Sequence, residues 1–239
     1  MLSVERHEKI LTQLARERLV KVSDLSAALG VTEKTVREDL EKLEEMGLLR
    51  RVRGGAKSIG RGNAPDAAPA AGGKFLAEKR DIAARAAAAI RGDEVVALDG
   101  GSTTLEIAKL LPNEPLTIVT NDLFIIAELA GRDRIRLVVP GGTRERNLLV
   151  GDGAAEFVRG LNIHKAFLSA TGIHPEFGLT VYNGAQLPMK RALVETAAQV
   201  FCVADHSKFG RGALFTFAGL HEVDAIFTDK LKEYLAKRG

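Results

Sequence analysis

The sequence predicts two folded parts, a small helical module at the N-terminus and a larger α/β domain built on an open, largely parallel sheet. Apolar residues recur at helical spacing in the first part, whereas short apolar runs alternate with helical stretches in the second. A segment rich in Gly, Ala and Pro separates these two patterns. We therefore expect an N-terminal module over residues 1–57, a flexible linker over 58–74 and a second domain over 75–239.

Three amphipathic helices are expected in the N-terminal module, because apolar side chains recur there every three or four residues. Gly30 is expected to end the second helix, and Ser23 and Thr32 to cap the second and third helices at their N-termini. The turn between these two helices is then short, as in a helix-turn-helix. The expected apolar faces comprise Ile10, Leu11 and Leu14, then Leu25, Ala28 and Leu29, then Val36, Leu40 and Leu43.

The third helix and the segment after it carry the candidate DNA contacts. Lys34, Thr35 and Arg37 lie near the N-terminal end of this helix, the end that approaches base edges in the major groove. We expect Arg37 to read a base. The basic run that follows predicts a two-stranded wing, turned by Gly54 and Gly55, whose arginines contact phosphates. The expected DNA-binding residues are Ser23, Thr32, Lys34, Thr35, Arg37, Arg50, Arg51 and Arg53.

Each of these features also has a purely structural explanation. Helical hairpins in general have apolar stripes and caps, and a basic run is usually only solvated. Bulk charge does not separate the two explanations, since residues 1–57 hold 12 Lys and Arg against 10 Asp and Glu. The order and spacing of the features favour a winged helix-turn-helix that binds DNA.

Short apolar runs, several rich in β-branched residues, predict the strands of the second domain. Because helical stretches lie between them, the strands are expected to form a largely parallel sheet with helices on both faces. The expected strands are 95–98, 116–119, 135–139, 166–168, 200–204 and 225–227, and the expected helices are 79–90, 104–111, 123–130 and 188–199.

Small and polar residues follow several of these strands, at the sheet edge where such domains bind their ligands. Glycines let the backbone approach a ligand closely, and the N-terminus of the next helix offers free N–H groups to an anion. For one loop alone, Ser102 or Thr103 could simply cap a helix, but three such loops favour a ligand site. The expected contacts are Asp99, Gly100, Gly101, Ser102, Thr103, Thr104, Asn121, Gly141 and Gly142.

The turn after the fifth expected strand carries a lysine. Lys208 can add a full positive charge to a bound phosphate, and Asp205 can accept hydrogen bonds from sugar hydroxyls. An ordinary surface turn is the alternative explanation. We expect His206 to be structural or exposed rather than catalytic, because no nucleophile accompanies it at a suitable spacing.

The N-terminal motifs resemble the DNA-binding domain of the DeoR family of bacterial sugar-metabolism regulators. That family combines a helix close to Val-Ser-x-x-Thr-Ile-Arg-Arg-Asp-Leu with a wing that ends in Arg-Val-His-Gly-Gly-Ala. The chain has Val-Thr-Glu-Lys-Thr-Val-Arg-Glu-Asp-Leu at residues 31–40 and Arg-Val-Arg-Gly-Gly-Ala at residues 51–56. Glu38 and Arg53 depart from the family pattern, which predicts a different operator sequence.

The second domain is similar to the sensor domain of the same family, which is in turn similar to sugar-phosphate isomerases of the ribose-5-phosphate isomerase type. The resemblance adds Lys190, in a basic pair with Arg191, to the expected effector-binding residues. The matching segments are residues 99–104, 120–121, 140–142, 178–180 and 205–208.

The resemblance implies a repressor of a sugar or polyol catabolic operon, which leaves its double-stranded operator when a phosphorylated sugar or polyol binds. Paired half-sites in such operators imply a homodimer or a homotetramer. The alternative from another class is a sugar-phosphate isomerase or transferase with an added DNA-binding module. No acid/base motif accompanies Asp99, Asp122 or Asp205, so we expect no enzymatic activity and no cofactor.

Composition argues against several other classes of protein. Cys202 is the only cysteine, so no disulfide can form within the chain, and the five histidines lack the spacing of metal ligands. The charged N-terminus lacks a signal-peptide core, and the alanine-rich helix around residues 82–90 contains Arg85 and is too short to span a bilayer. We expect a cytoplasmic protein that does not bind membranes.

Overall fold

The computed structural model describes residues 3–17, 19–45, 49–58 and 75–230. Contacts between Cα atoms divide the chain into two units, residues 1–67 and 68–239. Except for Ser58, the expected linker 58–74 lies outside the described residues. The boundaries at residues 57 and 74 and the flexibility of the linker therefore stay predictions.

The first unit combines three helices with a small antiparallel sheet, as a winged helix-turn-helix requires. The strands stand in the order β1-β3-β2. The sequence did not predict β1, because three residues are too few to show an alternating pattern. The elements are α1 (Ser3–Glu17), β1 (Leu19–Lys21), α2 (Val22–Leu29), α3 (Glu33–Glu45), β2 (Leu49–Val52) and β3 (Gly55–Ser58).

The cap expected at Ser23 is wrong. β1 continues directly into α2, so the helix begins one residue before Ser23 and its N-cap is Lys21, which makes no side-chain cap. The Ser23 hydroxyl donates instead to Asp24 Oδ1 at 3.0 Å. The cap at Thr32 is confirmed, since its Oγ1 accepts from the Thr35 N–H at 3.2 Å, and Gly30 ends α2 in the left-handed conformation with φ 65°. The expected core is confirmed except at Ala28, which is exposed.

The predicted wing is the β2–β3 hairpin, but only one of the two glycines lies in its turn. Gly54 has a φ of 80° and follows Arg53 at the tip. Gly55 is the first residue of β3 and pairs with Lys21 of β1. A Cβ atom at Gly55 would lie 2.0 Å from the Val20 carbonyl oxygen, so this glycine is needed for the close approach of the two strands.

A buried carboxylate joins α1 to α3. Asp39 is 1% exposed and accepts hydrogen bonds from Arg6 Nε at 2.7 Å and from a second Arg6 nitrogen at 3.0 Å. His7 Nε2 lies 3.0 Å from Asp39 Oδ1, the oxygen that also accepts from the second Arg6 nitrogen. Burial lowers the pKa of His7, although Asp39 acts in the opposite direction.

The second unit begins with α4 (Leu76–Ala87) and continues through β4 (Val95–Leu98), α5 (Ser102–Leu110), β5 (Leu116–Val119), α6 (Leu123–Leu129), β6 (Ile135–Val138), β7 (Thr143–Glu145), β8 (Leu148–Val150), α7 (Asp152–Arg159), β9 (Ile163–Leu168), β10 (Gly172–His174), β11 (Gly178–Val181), α8 (Leu187–Thr196), β12 (Ala197–Val203), β13 (Phe215–Ala218) and β14 (Ala225–Phe227). Three 3₁₀ turns lie at Gly184–Gln186, His206–Lys208 and Leu220–Glu222. No helix among the described residues is long and apolar enough to cross a membrane.

The predicted sheet is confirmed: six strands pair in parallel in the order β14-β12-β9-β4-β5-β6. Its two faces bury separate apolar clusters. Side chains of β9 alternate between them, since Phe167 packs with the cluster of α4, α5 and α6, whereas Ala166 and Leu168 pack with that of α7 and α8. The sheet is therefore covered by helices on both faces, as expected.

The helix expected over residues 188–199 is wrong at its C-terminal end. α8 stops at Thr196, and Ala197 and Gln199 pair with Ile163 and Lys165 of β9. Hydrogen bonding to a buried strand thus overrides the helical preference of this alanine-rich stretch. The sequence also did not predict the β7–β8 hairpin, α7, or the small antiparallel sheet β10-β11-β13, whose strands are short.

The stability of the first unit should fall as the pH drops below about 6.5, the ordinary pKa of histidine. Because the pKa of His7 is lowered in the folded unit, the unfolded chain takes up a proton first. The stabilisation that neutral His7 contributes is therefore full above the ordinary pKa of histidine. It is lost as the pH falls towards the lower pKa of His7 in the folded unit. Hydrogen-exchange opening free energies of the buried α3 amides of Val36 and Leu40 measure this, after correction for intrinsic exchange.

His7→Gln is the matched control, because glutamine keeps a donor for Asp39 but does not titrate in this range. The variant should show a flatter pH dependence in the same amides. If the opening free energies of His7→Gln fall equally steeply with pH, another titratable group causes the effect.

Candidate functional site

The carboxyl ends of β4 and β9 form the central crevice of the second unit. From β4 the chain adds β5 and then β6 on one side, and later adds β9, β12 and β14 on the other. Ligands of open α/β sheets bind where the strand order reverses in this way. Asp99, Gly100 and Gly101 follow β4 at this point, and Ser169 follows β9.

A buried ion pair occupies the crevice. Lys190 of α8 and Asp99 are 1% and 3% exposed, and Lys190 Nζ donates to Asp99 Oδ2. Nζ also donates to the Ser169 carbonyl oxygen at 2.8 Å and lies 4.8 Å from the centre of the Phe217 ring. The structure thus brings together two of the expected effector-binding residues, but their charges already neutralise each other.

Ser169 completes this cluster and was not among the expected site residues. Its N–H donates to Asp99 Oδ2 at 2.9 Å, and its hydroxyl donates to the Gly100 carbonyl oxygen at 2.6 Å. The residue directly follows the expected strand 166–168. The rule that selected Asn121, a polar residue in the loop after a strand, would therefore have found it as well.

The N-terminus of α5 faces this edge of the sheet without a side-chain cap. Gly101 is the N-cap residue, so neither Ser102 nor Thr103 takes the capping position. The Thr104 hydroxyl donates to the Gly101 carbonyl oxygen at 2.8 Å, and no side chain caps the first turn of the helix. The capping explanation is thereby contradicted. A nine-residue helix with uncapped N–H groups attracts anions.

The β7–β8 hairpin lies over part of the expected ligand site, at Gly100 and Asn121. Leu148 packs against Gly100, where an added Cβ atom would lie 2.1 Å from Leu148 Cδ2. Leu149 exchanges hydrogen bonds with Asn121: its N–H donates to the Asn121 carbonyl oxygen at 2.9 Å, and its own carbonyl accepts from Asn121 Nδ2 at 2.8 Å. Asn121 Oδ1 is buried without a hydrogen-bond partner among the described residues. Gly142, with φ 117°, lies at the base of this hairpin against Val150.

Asp122 and Asp205 are engaged in local structure. Asp122 Oδ1 accepts from the N–H groups of Phe124 and Ile125 at 2.8 and 3.2 Å and caps α6. Burial raises the pKa of this carboxyl, although its hydrogen bonds act in the opposite direction. Asp205 Oδ1 accepts from the Ser207 N–H at 3.0 Å and caps the turn after β12. Both carboxylates therefore already have structural partners.

Lys208 lies in the same turn, at the carboxyl end of β12. Its side chain is half-buried, and burial lowers the pKa of its ammonium, although Asp205 acts in the opposite direction. Within residues 75–230 no hydrogen bond or ion pair is found for Lys208 Nζ. A desolvated ammonium without an acceptor is a strong candidate for holding an anion.

In the first unit, Arg37 lies on the exposed face of α3. Its side chain is 57% exposed and forms an ion pair of 2.5 Å with Glu33, one turn earlier. Lys34 is also exposed, whereas Thr35 is half-buried and its hydroxyl bonds to that of Thr32 at 3.0 Å. If Arg37 contacts DNA as predicted, the DNA competes with Glu33 for its guanidinium.

The three wing arginines differ in their surroundings. Arg51 lies on the same face of β2 as the buried Leu49, 3.5 Å from Glu41 of α3, whereas Arg50 lies on the opposite face. Arg53 is exposed at the tip of the hairpin. These positions make Arg53 better placed than Arg51 for contacting phosphates without losing an ion pair.

The other end of the sheet carries an apolar cavity of about 360 Å³, at the C-terminal ends of α4 and α5. None of the expected site residues lines it. Its lining includes Ala84, Ala87, Ile90, Leu110, Leu111 and Pro115. Within the described ranges no group of three or more His, Cys, Asp or Glu residues could hold a metal ion.

Comparison with known proteins identifies both units. Residues 6–61 match the DeoR-like helix-turn-helix domain, and residues 74–230 match the DeoR C terminal sensor domain. The HTH-type transcriptional regulator GlpR of Haloferax volcanii is 36% identical over 96% of this chain and 91% of its own length. The transcriptional repressor AccR of Agrobacterium fabrum is 35% identical over 94% of this chain and 89% of its own length.

Among solved structures, ribose 5-phosphate isomerase A from Methanocaldococcus jannaschii aligns with a TM-score of 0.43 and 15% identity, over 57% of this chain and 55% of its own. The sequence relatives are named as transcriptional regulators, not as enzymes, which favours a regulator over the isomerase or transferase alternative. The two family matches cover both units and nearly the whole chain. The chain therefore belongs to the DeoR family of helix-turn-helix transcriptional regulators.

Proposed function

We propose that this regulator is a repressor of a sugar or polyol catabolic operon and that a phosphorylated sugar or polyol releases it from its operator. The observation that carries the proposal is Lys208, a half-buried ammonium without an acceptor among the described residues. It lies on the same edge of the sheet as the uncapped N-terminus of α5. A cation and free backbone N–H groups at one edge suit a phosphate.

The other expected residues have three different roles in this proposal. Ser102, Thr103 and the backbone of Gly101 bind the phosphate directly through the helix N-terminus. The Lys190–Asp99 pair is neutral as a whole, so it orients the Gly100 loop and meets the sugar hydroxyls rather than the phosphate. Gly141 and Gly142 hold the hairpin over the edge of the site.

Asn121 contributes the remaining polar contact. Its Nδ2 is fixed by the Leu149 carbonyl, which leaves Oδ1 as a buried acceptor that needs a donor. A hydroxyl of the effector supplies that donor in our proposal. Asp205 keeps its capping role. Its carbonyl oxygen accepts from the Lys208 N–H and so fixes the position of Lys208.

Release of the operator needs a large difference in affinity between two states. Changing an operator-competent population from 99:1 to 1:99 takes a differential effector affinity of about 10⁴, or about 5.5 kcal/mol per cooperative unit. Several effectors acting on one oligomer share this requirement. A homodimer or homotetramer that binds paired half-sites fits this energetic need.

Lys208→Ala should abolish the stabilisation of the protein by sugar phosphates and leave operator binding unchanged. A phosphorylated ligand at about 100 times its Kd adds about 2.7 kcal/mol to the folded state. The wild-type thermal midpoint should therefore rise with members of a sugar-phosphate panel and not with their dephosphorylated forms. Thermal unfolding of the full chain measures the shift.

Lys109→Ala is the matched control, because Lys109 lies at the other end of α5 and pairs with Glu106 at 2.6 Å. This variant should respond to sugar phosphates like the wild type. Equal shifts with phosphorylated and free sugars, or a full response in Lys208→Ala, would contradict the proposed phosphate site.

Arg37→Ala should cost about 1–3 kcal/mol on the cognate operator and little on unrelated DNA, because it removes a base contact. Arg53→Ala should weaken both duplexes alike and reduce the slope of log K against log salt by about one. Fluorescence anisotropy at several salt concentrations, with a duplex selected from a random-sequence library and a scrambled duplex, measures both effects.

Glu33→Gln serves as the counterpart of Arg37→Ala, since it removes the ion pair that competes with DNA for Arg37. We expect it to tighten cognate binding. If Arg37→Ala weakens the two duplexes equally, base reading must be assigned to Lys34 and Thr35 instead.

A further inference from the structure

The first described residue of the second unit touches the turn that carries Lys208. The ring of Phe75 meets the imidazole of His206 edge to face, with ring centres 4.8 Å apart and planes inclined by 76°. Phe75 directly follows residues 58–74, the expected linker to the DNA-binding unit. One side-chain contact therefore joins the end of that segment to the proposed anion site.

His206 is held firmly within this turn. Its backbone N–H donates to Asp229 Oδ1 at 2.8 Å, and its Nδ1 is hydrogen-bonded to Asp229 Oδ2 at 2.7 Å. The Lys208 N–H donates to the Asp205 carbonyl oxygen at 3.1 Å across the same 3₁₀ turn. Lys208 is thus two peptide units away from His206 within one hydrogen-bonded turn.

Phe75 has an unusual backbone conformation. It is the N-cap residue of α4 and has φ 61° and ψ 34°, in the left-handed region that bulky side chains rarely adopt. Its carbonyl oxygen accepts from the Lys79 N–H at 3.0 Å and so starts the helix. Such strain persists only where neighbouring contacts over-determine it. The His206 ring is one of the contacts that hold Phe75 in this state.

We propose that the Phe75–His206 contact is the route by which effector occupancy is transmitted from the Asp205–Lys208 turn to the chain that leads to the DNA-binding unit. This inference rests on the proposed function, because it takes the Lys208 turn as the anion site. It adds a route by which binding at that site regulates operator binding. The effector contacts alone do not provide such a route.

The coupling works through two backbone states of Phe75. An anion drawn to Lys208 shifts the short turn, and the His206 ring moves with it. Phe75 then loses the edge-to-face contact and relaxes to a negative φ, which changes the backbone direction at the N-terminus of α4. Because the effector binds the two states with different affinity, it shifts their populations. By linkage, DNA that favours one state alters effector affinity to the same extent.

A tryptophan at position 75 reports on this contact, since the chain contains no tryptophan. In full-length Phe75→Trp, inorganic phosphate should change the emission of Trp at this position. Half-saturation should occur at the phosphate concentration that half-saturates the rise in the wild-type thermal midpoint. The double variant Phe75→Trp with Lys208→Ala should show neither change.

Phe157→Trp is the matched control. Phe157 lies on α7 with 48% of its surface exposed, in a different helix from the one that Phe75 begins. Its tryptophan should not respond to phosphate. A response in both single-tryptophan variants would indicate a general effect of phosphate and would overturn the coupling.

Phe75→Leu removes the aromatic contact with His206 but keeps an apolar residue at position 75. It should retain the phosphate-dependent thermal shift, while phosphate should no longer weaken operator binding. In the wild type we expect about a tenfold weakening, within the usual range of allosteric coupling. Retained release in Phe75→Leu would overturn the proposal even if Phe75→Trp failed to fold.

The two proposals fail in distinguishable ways. If phosphate raises the wild-type thermal midpoint but does not change the emission of Trp at position 75, the coupling is wrong and the anion site stands. If phosphate binds neither the wild type nor Phe75→Trp, the anion site is wrong and the coupling falls with it.

Discussion

The ion pair between Lys190 and Asp99 is the interaction on which the second unit depends. It joins α8 to the end of β4, and through Ser169 it also fixes the end of β9. These two strands are the ones between which the strand order reverses. A single buried salt bridge therefore determines the shape of the crevice in which a ligand would lie.

A buried ion pair is costly to form, because both charges lose their hydration. Lys190 and Asp99 offset this cost with further hydrogen bonds, to the Ser169 carbonyl and from the Ser169 N–H. Removal of either partner would leave an unpaired charge at the centre of the domain. This arrangement favours a rigid crevice floor.

The sequence predicted most helices and the main-sheet strands of both units well, because long amphipathic helices and β-branched runs have strong periodic patterns. Strands β4, β5 and β14 were placed at their observed bounds. It predicted the site only in part. The partnership of Lys190 with Asp99 joins residues 91 positions apart, and no local pattern indicates it. The contact of Leu148 with Gly100 was not predicted for the same reason. The local sequence around an apolar residue in a short hairpin does not indicate which distant residue it will contact.

The absence of a side chain at Gly55 has a consequence for how the first unit recognises DNA. It allows β3 to lie against β1, which continues without a break into α2. The wing is thus attached to α2 through β1. If α3 and the wing contact DNA as proposed, this attachment limits changes in the distance between Arg53 at the tip and the exposed face of α3. Exposed side chains can then change operator preference while the spacing between the two DNA contacts stays the same.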